Sequence, residues 1–216
     1  VDTRSPIIDN FSTDDDSFFP TSPGLANRSA DLLFREARTA YAFTDEPVTT
    51  AELDLIHDLL RFPPTAMNTQ PLRVLLVTSP EAKERLLPHL AEGNRAKAAS
   101  APVVAILAAD TDFHEKLPRL LPHAKGAKEM FSDEGIREQA ARFNATLQAG
   151  YFILAVRAAG LDAGPMGGVS TAGIDGEFFD NGPVKSFLVV NIGHADPGGT
   201  HPRSPRLEQH EVFTTI

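Results

Sequence analysis

The chain contains no cysteine, which excludes disulfides, thiolate catalysis and the usual cysteine-containing zinc sites. No apolar run reaches the length of a membrane span, and the first residues lack a basic segment followed by an apolar one. The expectation is therefore a soluble, cytoplasmic protein. Positive charge is scarce: 20 Lys and Arg against 29 Asp and Glu give a formal net charge of −9. That balance opposes non-specific attraction to nucleic-acid phosphates or anionic lipid, so neither partner is expected. An anionic ligand must instead be held by a local cluster of Arg or Lys. Several catalytic signatures are also missing. The phosphate loop of nucleotide triphosphatases and the Gly-x-Ser-x-Gly elbow are absent, and Gly164-Pro165-Met166-Gly167-Gly168 follows a helical pattern instead of a strand. The seven histidines, at 57, 89, 114, 123, 194, 201 and 210, form no pair at the helical spacing of a metal site. No metal is expected.

With 216 residues, 42% of them apolar and 23% charged, the chain reads as one globular domain. Residues 1–27, rich in Pro, Ser, Asp and Asn, read as an extended or disordered arm, with Phe11, Phe18 and Phe19 available to anchor it. Residues 28–216 are read as a single domain. A helix is predicted over 29–38, and another starts at Thr49, where Thr49 and Glu52 have the spacing of a capping box. Apolar runs at 72–78, 103–109 and 186–192 predict three buried strands. Ser79-Pro80 marks a further helix start. The longest element is a helix over 132–159, closed by Gly160. Its apolar face is predicted from Ile136, Ala140, Phe143, Leu147, Tyr151, Leu154 and Ala158.

Three stretches carry candidate chemistry. Pro63 to Pro71 holds two hydroxyls and two amides on an uncharged turn; Gly167 and Gly168 let a backbone approach a flat ligand closely; Arg38, Arg203 and Arg206 could supply the cationic pocket that an acidic chain needs for an anion. Each also has a plain reading, as a turn, a loop and solvated charges.

Taken in order, five segments resemble the nitroreductase family of FMN-dependent oxidoreductases: Arg38-Thr39 before Phe43 and Pro47-Val48; Pro64 to Pro71; Gly160 to Gly168; Asn191-Ile192-Gly193; and Arg203-Ser204-Pro205-Arg206. Leu117-Pro118, Leu121-Pro122-His123, Arg142-Phe143-Asn144 and Gly164-Pro165-Met166 are similar to the malonic semialdehyde reductase branch of pyrimidine degradation.

The resemblance implies an α+β fold, with a central, mainly antiparallel sheet flanked by helices. It also implies an intertwined homodimer with two FMN sites at the interface, the run 207–216 reaching across to the partner. Arg38 and Arg203 would clamp the FMN phosphate, with Thr39 beside them and Arg206 as an addition. Pro64, Thr65, Asn68 and Gln70 would lie against the isoalloxazine, whose neutral donors and acceptors suit amides and hydroxyls. Met166, Gly167 and Gly168 would approach its hydride-accepting position. The implied activity passes hydride from NAD(P)H through the flavin to a small-molecule acceptor in ping-pong order, without a catalytic side chain. That acceptor is malonic semialdehyde, or a nitro or quinone compound in a broader reductase; a non-catalytic flavin-binding protein is the other class. Arg119 is the candidate partner for a substrate carboxylate. Two departures stand out. Tyr41 occupies a position where many relatives have Arg, so phosphate binding is either weaker or completed by Arg206 or a backbone amide. Gly167 replaces a common Glu, which removes a carboxylate beside the flavin.

Overall fold

The structure is a computed structural model and describes residues 24–216. Phe11, Phe18 and Phe19 lie outside the described residues. Four strands, β1 (Leu72–Val77), β2 (Val103–Asp110), β3 (Asp162–Met166) and β4 (Val184–Gly193), form one sheet in the order β1-β2-β4-β3 with every pairing antiparallel. Strand β2 is buried along its whole length, as its unbroken apolar run requires. Its side chains alternate between two cores: Val103, Ala105, Leu107 and Ala109 face one, Val104 and Ile106 the other. On the first face lie α2 (Thr50–Leu60) and α6 (Glu134–Ala158); on the second lie α3 (Pro80–Leu86), α4 (Glu92–Ser100) and α7 (Thr171–Phe178).

Local signals place the helix starts. Thr49 and Glu52 close the predicted capping box on α2, Ser79 caps α3 with Pro80 in its first turn, and Asp133 caps α6. Gly160 follows α6 at φ +84°, a left-handed value that favours glycine. The N-terminal helix is shorter than predicted. It consists of α1 (Asn27–Ala30), already begun within the span read as an arm, and a wider π-type turn over Asp31–Arg35.

Two expectations need correction. The sheet has a fourth strand, β3, in the glycine and proline stretch read as a turn. Proline is tolerated there because β3 lies at the edge of the sheet, with β4 as its one strand partner among the described residues. The second correction concerns α6, which is central but buries a different face. Ala141, Asn144, Ala145, Gln148, Ala149, Phe152, Ala155 and Val156 face the protein, whereas the predicted Ile136, Phe143, Leu147 and Tyr151 are 52%, 70%, 42% and 42% exposed. Small residues let α6 lie close to the sheet, and a bulky apolar stripe remains open beside them. Asn144 and Gln148 are buried because they serve backbone groups: Asn144 Oδ1 accepts the Ala66 N–H at 2.7 Å, and Gln148 Oε1 accepts that of Leu72 at 3.0 Å.

A compact ion cluster ties β1 to β2. Asp110, buried at the end of β2, receives Arg73 at 2.5 Å and Lys116 at 2.7 Å on one carboxylate oxygen, and the Asp112 N–H on the other at 2.9 Å. Burial pushes its pKa upward, but the Lys116 hydrogen bond, the charges of Arg73 and Lys116 and the Asp112 amide together hold it below the ordinary aspartate value.

Candidate functional site

The segment from Arg38 to Thr44 runs extended between β3 and the C-terminal stretch. Ala40 donates its N–H to Ala163 O at 3.1 Å, Tyr41 donates to Gly199 O at 2.7 Å, and Ala40 and Phe43 form bridges to Thr200 and Ala195. Gly164 makes this approach possible, because a Cβ on it would stand 2.5 Å from Ala40 O. The segment thereby lines two neighbouring cavities, with Thr39 and Tyr41 in the wall of both.

The first is a cavity of about 560 Å³ lined by Arg38, Arg157, Arg203 and Arg206, with Phe34, Ala37, Thr39, Tyr41, His201, Pro202 and Ser204 completing it. Four guanidinium-bearing side chains meet there and, among the described residues, no carboxylate lines the wall, the nearby Glu36 standing 3.8 Å from Arg38 Nη2 outside that lining, on a chain of net charge −9. Three of them rest on one turn of backbone. Arg38 Nη1 donates to Arg35 O at 2.9 Å, Arg203 Nη2 to Arg35 O at 2.5 Å and Ala37 O at 3.0 Å, and Arg157 Nη1 to Leu33 O at 3.0 Å. Those carbonyls occupy only part of each five-donor fork.

The second is a cavity of about 340 Å³ lined by Thr39, Ala40, Tyr41, Asn94, Lys97 and the run from Gly164 to Gly168. Asn94 Nδ2 donates to Gly168 O at 3.1 Å, Lys97 Nζ donates to Asn94 Oδ1 at 3.3 Å, and the same ammonium lies 4.7 Å above the Tyr41 ring. The Tyr41 ring in turn meets the His201 ring at a tilt of 47°, with centroids 4.6 Å apart. Gly167 is exposed, and a Cβ built on it meets nothing within 4 Å among the described residues, so its bare backbone leaves space that a side chain would fill. Thr39 and Tyr41, common to both cavities, join a cationic end to one whose only charged lining residue among the described residues is Lys97.

The predicted residues thus fall into two groups. Arg38, Thr39, Arg203, Arg206, Met166, Gly167 and Gly168 come together along this groove. Pro64, Thr65, Asn68 and Gln70 do not. Their loop is held to α6 at Asn144, whereas Arg157 sits thirteen residues further along the same helix, a separation of about 20 Å at 1.5 Å per residue. The loop is tightly built: Met67, Asn68 and Gln70 all have left-handed φ values of 53°, 53° and 43°, a strain that concentrates at functional sites. Its polar groups also serve the loop itself. Asn68 Nδ2 donates to Leu120 O at 2.8 Å, Gln70 Nε2 donates to Asn68 Oδ1 at 2.6 Å, and Thr65 Oγ1 accepts the Gln70 N–H at 3.2 Å. Through Leu120 the loop touches α5 (Leu117–Leu120), where the exposed Arg119 stands. Gln70 also lines a third cavity of about 370 Å³, mostly apolar, between α2, β1 and α6.

Sequence reasoning missed Arg157, His201, Asn94 and Lys97 as groove residues, and it noted Tyr41 only as a departure at the phosphate position. Asn94 and Lys97 carried a readable signal, since two polar groups three apart on a helix share a face. Arg157, among alanines near a helix end, carried none.

Among the described residues, no cluster of His, Asp and Glu could hold a metal ion, and no helix is long and apolar enough to cross a membrane. The model of the nitroreductase family matches residues 34–194. A Streptomyces griseus protein with the provisional name NADH dehydrogenase/NAD(P)H nitroreductase is 59% identical over 187 residues, 86% of this chain and 95% of its own. A protein of Leptothrix cholodnii with the same provisional name is 53% identical over 185 residues, covering 85% and 94%. Among solved structures, a protein from Exiguobacterium sibiricum in complex with FMN, with the provisional name nitroreductase, superposes with a TM-score of 0.77 at 20% identity, covering 86% of this chain and 96% of that one. A protein from Staphylococcus epidermidis with the provisional name NAD(P)H:FMN oxidoreductase gives 0.75 at 20% identity, covering 88% and 96%. The α+β fold with its antiparallel sheet agrees with these likenesses, and on the strength of the family match and the relatives above half identity, the chain belongs to the nitroreductase family.

Proposed function

We propose that the protein is an FMN-dependent NAD(P)H oxidoreductase that reduces a small acceptor. The observation that carries this reading is the junction of the two cavities at Thr39 and Tyr41. A phosphate fits the arginine end, where Arg38 and Arg203 would hold it with Thr39, and Arg206 closes the rim. The ring would lie toward Met166, Gly167 and Gly168, with Asn94 and Lys97 beside its edge. Bound there, FMN supplies the two-electron chemistry, with NAD(P)H as the donor. The chain's own residues bind, orient and shield it, and the bare Gly167 leaves room for a donor or acceptor over the groove.

The remaining groups come from a second copy in this reading. The loop with Pro64, Thr65, Asn68 and Gln70 is too far from its own arginine cavity to share a ligand with it. The open stripe Ile136, Phe143, Leu147 and Tyr151 on α6 suits a homodimer that brings one copy's loop to the other's groove. The run 207–216 is exposed throughout and carries Leu207, Val212, Phe213 and Ile216. The apolar cavity beside the open edge of β1 suits this run from the partner.

For the acceptor we propose a small carboxylate-bearing aldehyde, malonic semialdehyde first, reduced to 3-hydroxypropionate. Residues 116–128 contain Lys116, Arg119, His123, Lys125 and Lys128 and no carboxylate. Lys116 and Lys128 are paired to Asp110 and Glu115, whereas Arg119 has no ion pair among the described residues. A broad nitro or quinone reductase is the second reading, favoured by the names of the relatives.

Visible absorption of the purified protein tests the proposal. A flavin band that bleaches with anaerobic NADPH and returns with malonic semialdehyde supports the first reading; return only with nitroaromatics or quinones supports the second. No band after incubation with FMN removes both. Hydrogen bonds to charged groups contribute about 1.5–3 kcal/mol each. Arg38→Ala or Arg203→Ala is therefore expected to weaken FMN by roughly ten-fold or more, at about 1.4 kcal/mol per decade. Fluorescence titration measures this, and unchanged affinity in both variants discards the clamp. Arg119→Ala is expected to raise the Michaelis constant for the aldehyde far more than that for NAD(P)H. Equal effects on the two would take Arg119 out of that role.

A further inference from the structure

We infer that Arg157 is a phosphate ligand of the arginine cavity, entering it from α6 as the half-buried helical member of a set whose other cations come from loops. The inference rests on reading that cavity as the phosphate end of the flavin groove.

Arg157 lies in the last turn of α6 and lines the same cavity wall as Arg38, Arg203, Arg206 and the uncharged Tyr41. Its Nη1 is spent on Leu33 O, but its Nε is buried with no hydrogen-bond partner among the described residues. The occluded Nε does not face the cavity, but Nη2 has no hydrogen-bond partner among the described residues and is not occluded, so it is the donor that a ligand oxygen in the cavity would match. The electrostatics point the same way. Burial first, and then the adjacent charge of Arg203, hold the Arg157 guanidinium below its ordinary value, while Asp162 pulls the other way. Asp162, however, accepts the Ala195 N–H at 2.9 Å and is not part of the cavity lining. Two guanidiniums that repel in a partly buried cavity are stabilised by an anion between them, and a phosphate dianion with three acceptor oxygens suits converging forks.

The plain alternative is that Arg157 only ties the first turns of the chain to α6 and favours the helix C-terminus by its charge. That role would act on any ligand of the groove alike. A phosphate ligand acts on FMN and leaves riboflavin, which lacks the phosphate, unaffected.

The test is a fluorescence titration of the flavin-depleted full chain with FMN and with riboflavin, in wild type, Arg157→Gln and Arg157→Lys. Wild type is expected to prefer FMN strongly. Arg157→Gln should lose roughly ten-fold on FMN with riboflavin unchanged, from the charged hydrogen bond removed. Arg157→Lys keeps the stem and the charge but lacks the fork. It should lose a smaller factor on FMN alone, and it provides the comparison if the glutamine variant does not fold. Equal losses on FMN and riboflavin, or no loss on either, overturn the assignment while leaving the cavity's reading intact. Equal affinity of wild type for the two flavins overturns the reading of the cavity and this inference with it.

Discussion

A chain carrying Phe143→Asp and Leu147→Asp together is expected to elute as a monomer and to be colourless. Both side chains lie on the open stripe of α6, at 70% and 42% exposure, and neither belongs to the cores on the two faces of the sheet. The fold of one chain should therefore survive, with an unchanged far-ultraviolet circular dichroism spectrum. In a two-fold dimer, however, the double substitution would bury four carboxylates without partners, and each unpaired buried ion costs several kcal/mol. Colour should be lost with the dimer, because the loop at Asn144 and the arginines at Arg157 are separated along α6 and one chain cannot close both around a flavin. Light scattering after size exclusion, with visible absorbance recorded on the same peak, reads both results. A variant that stays dimeric would move the interface elsewhere on the surface. A monomer that keeps its flavin would show that one groove is sufficient.

The second large effect is on stability. Asp110→Asn removes the one negative charge shared by Arg73 and Lys116, at a carboxylate only 6% exposed. Breaking a buried ion pair costs about 3–5 kcal/mol. Its partners are 31% and 41% exposed and keep access to water, so about 2–3 kcal/mol is expected once solvent screening is allowed for. A domain of this size loses roughly 2–4 °C per kcal/mol, giving a melting temperature lower by about 5–10 °C. The pH dependence has a definite sign. The carboxyl is held below its ordinary value of 3.8 in the folded state, so its contribution is fully present above that value and is lost as pH falls through the lower folded one. Urea titrations should show the gap between wild type and Asp110→Asn at full size at neutral pH, closing only in acid below about pH 4. A gap that is constant down to pH 2 would assign the loss to packing instead of charge.

Strands β1, β2 and β4 were legible because each is dominated by apolar residues, although only β2 is buried along its whole length and the edge strand β1 is buried only at Leu72 and Val77. Strand β3 was not, since Asp162-Ala163-Gly164-Pro165-Met166 has the composition of a turn and is extended only because β4 pairs with it. The length and ends of α6 could be read from its caps, but its buried face could not. Ala141, Ala145, Ala149, Asn144 and Gln148 look indifferent in a sequence and are buried because close packing and loop anchoring need small or amide side chains. The bulkier residues that mark an apolar face belong to the stripe left open. At the site, the need for clustered arginines followed from net charge alone, and Arg38, Arg203 and Arg206 do converge. Arg157 was invisible because the cavity forms only when the chain brings α6 against the first turns and the C-terminal stretch. The loop at Pro64 to Gln70 was legible as polar, yet its first use is to hold its own left-handed backbone.

The distance that α6 puts between Asn144 and Arg157 has a genetic meaning in the proposed dimer. Each chain lends its loop to one groove and its arginines to the other, so a defect in either region spoils both grooves when both copies carry it. Two different alleles, one defective in an arginine and one in the loop, would pair into a hybrid in which both lesions fall in the same groove. The other groove would be built entirely from sound parts. Two inactive alleles would then restore activity when expressed together, at up to half the capacity of each hybrid molecule.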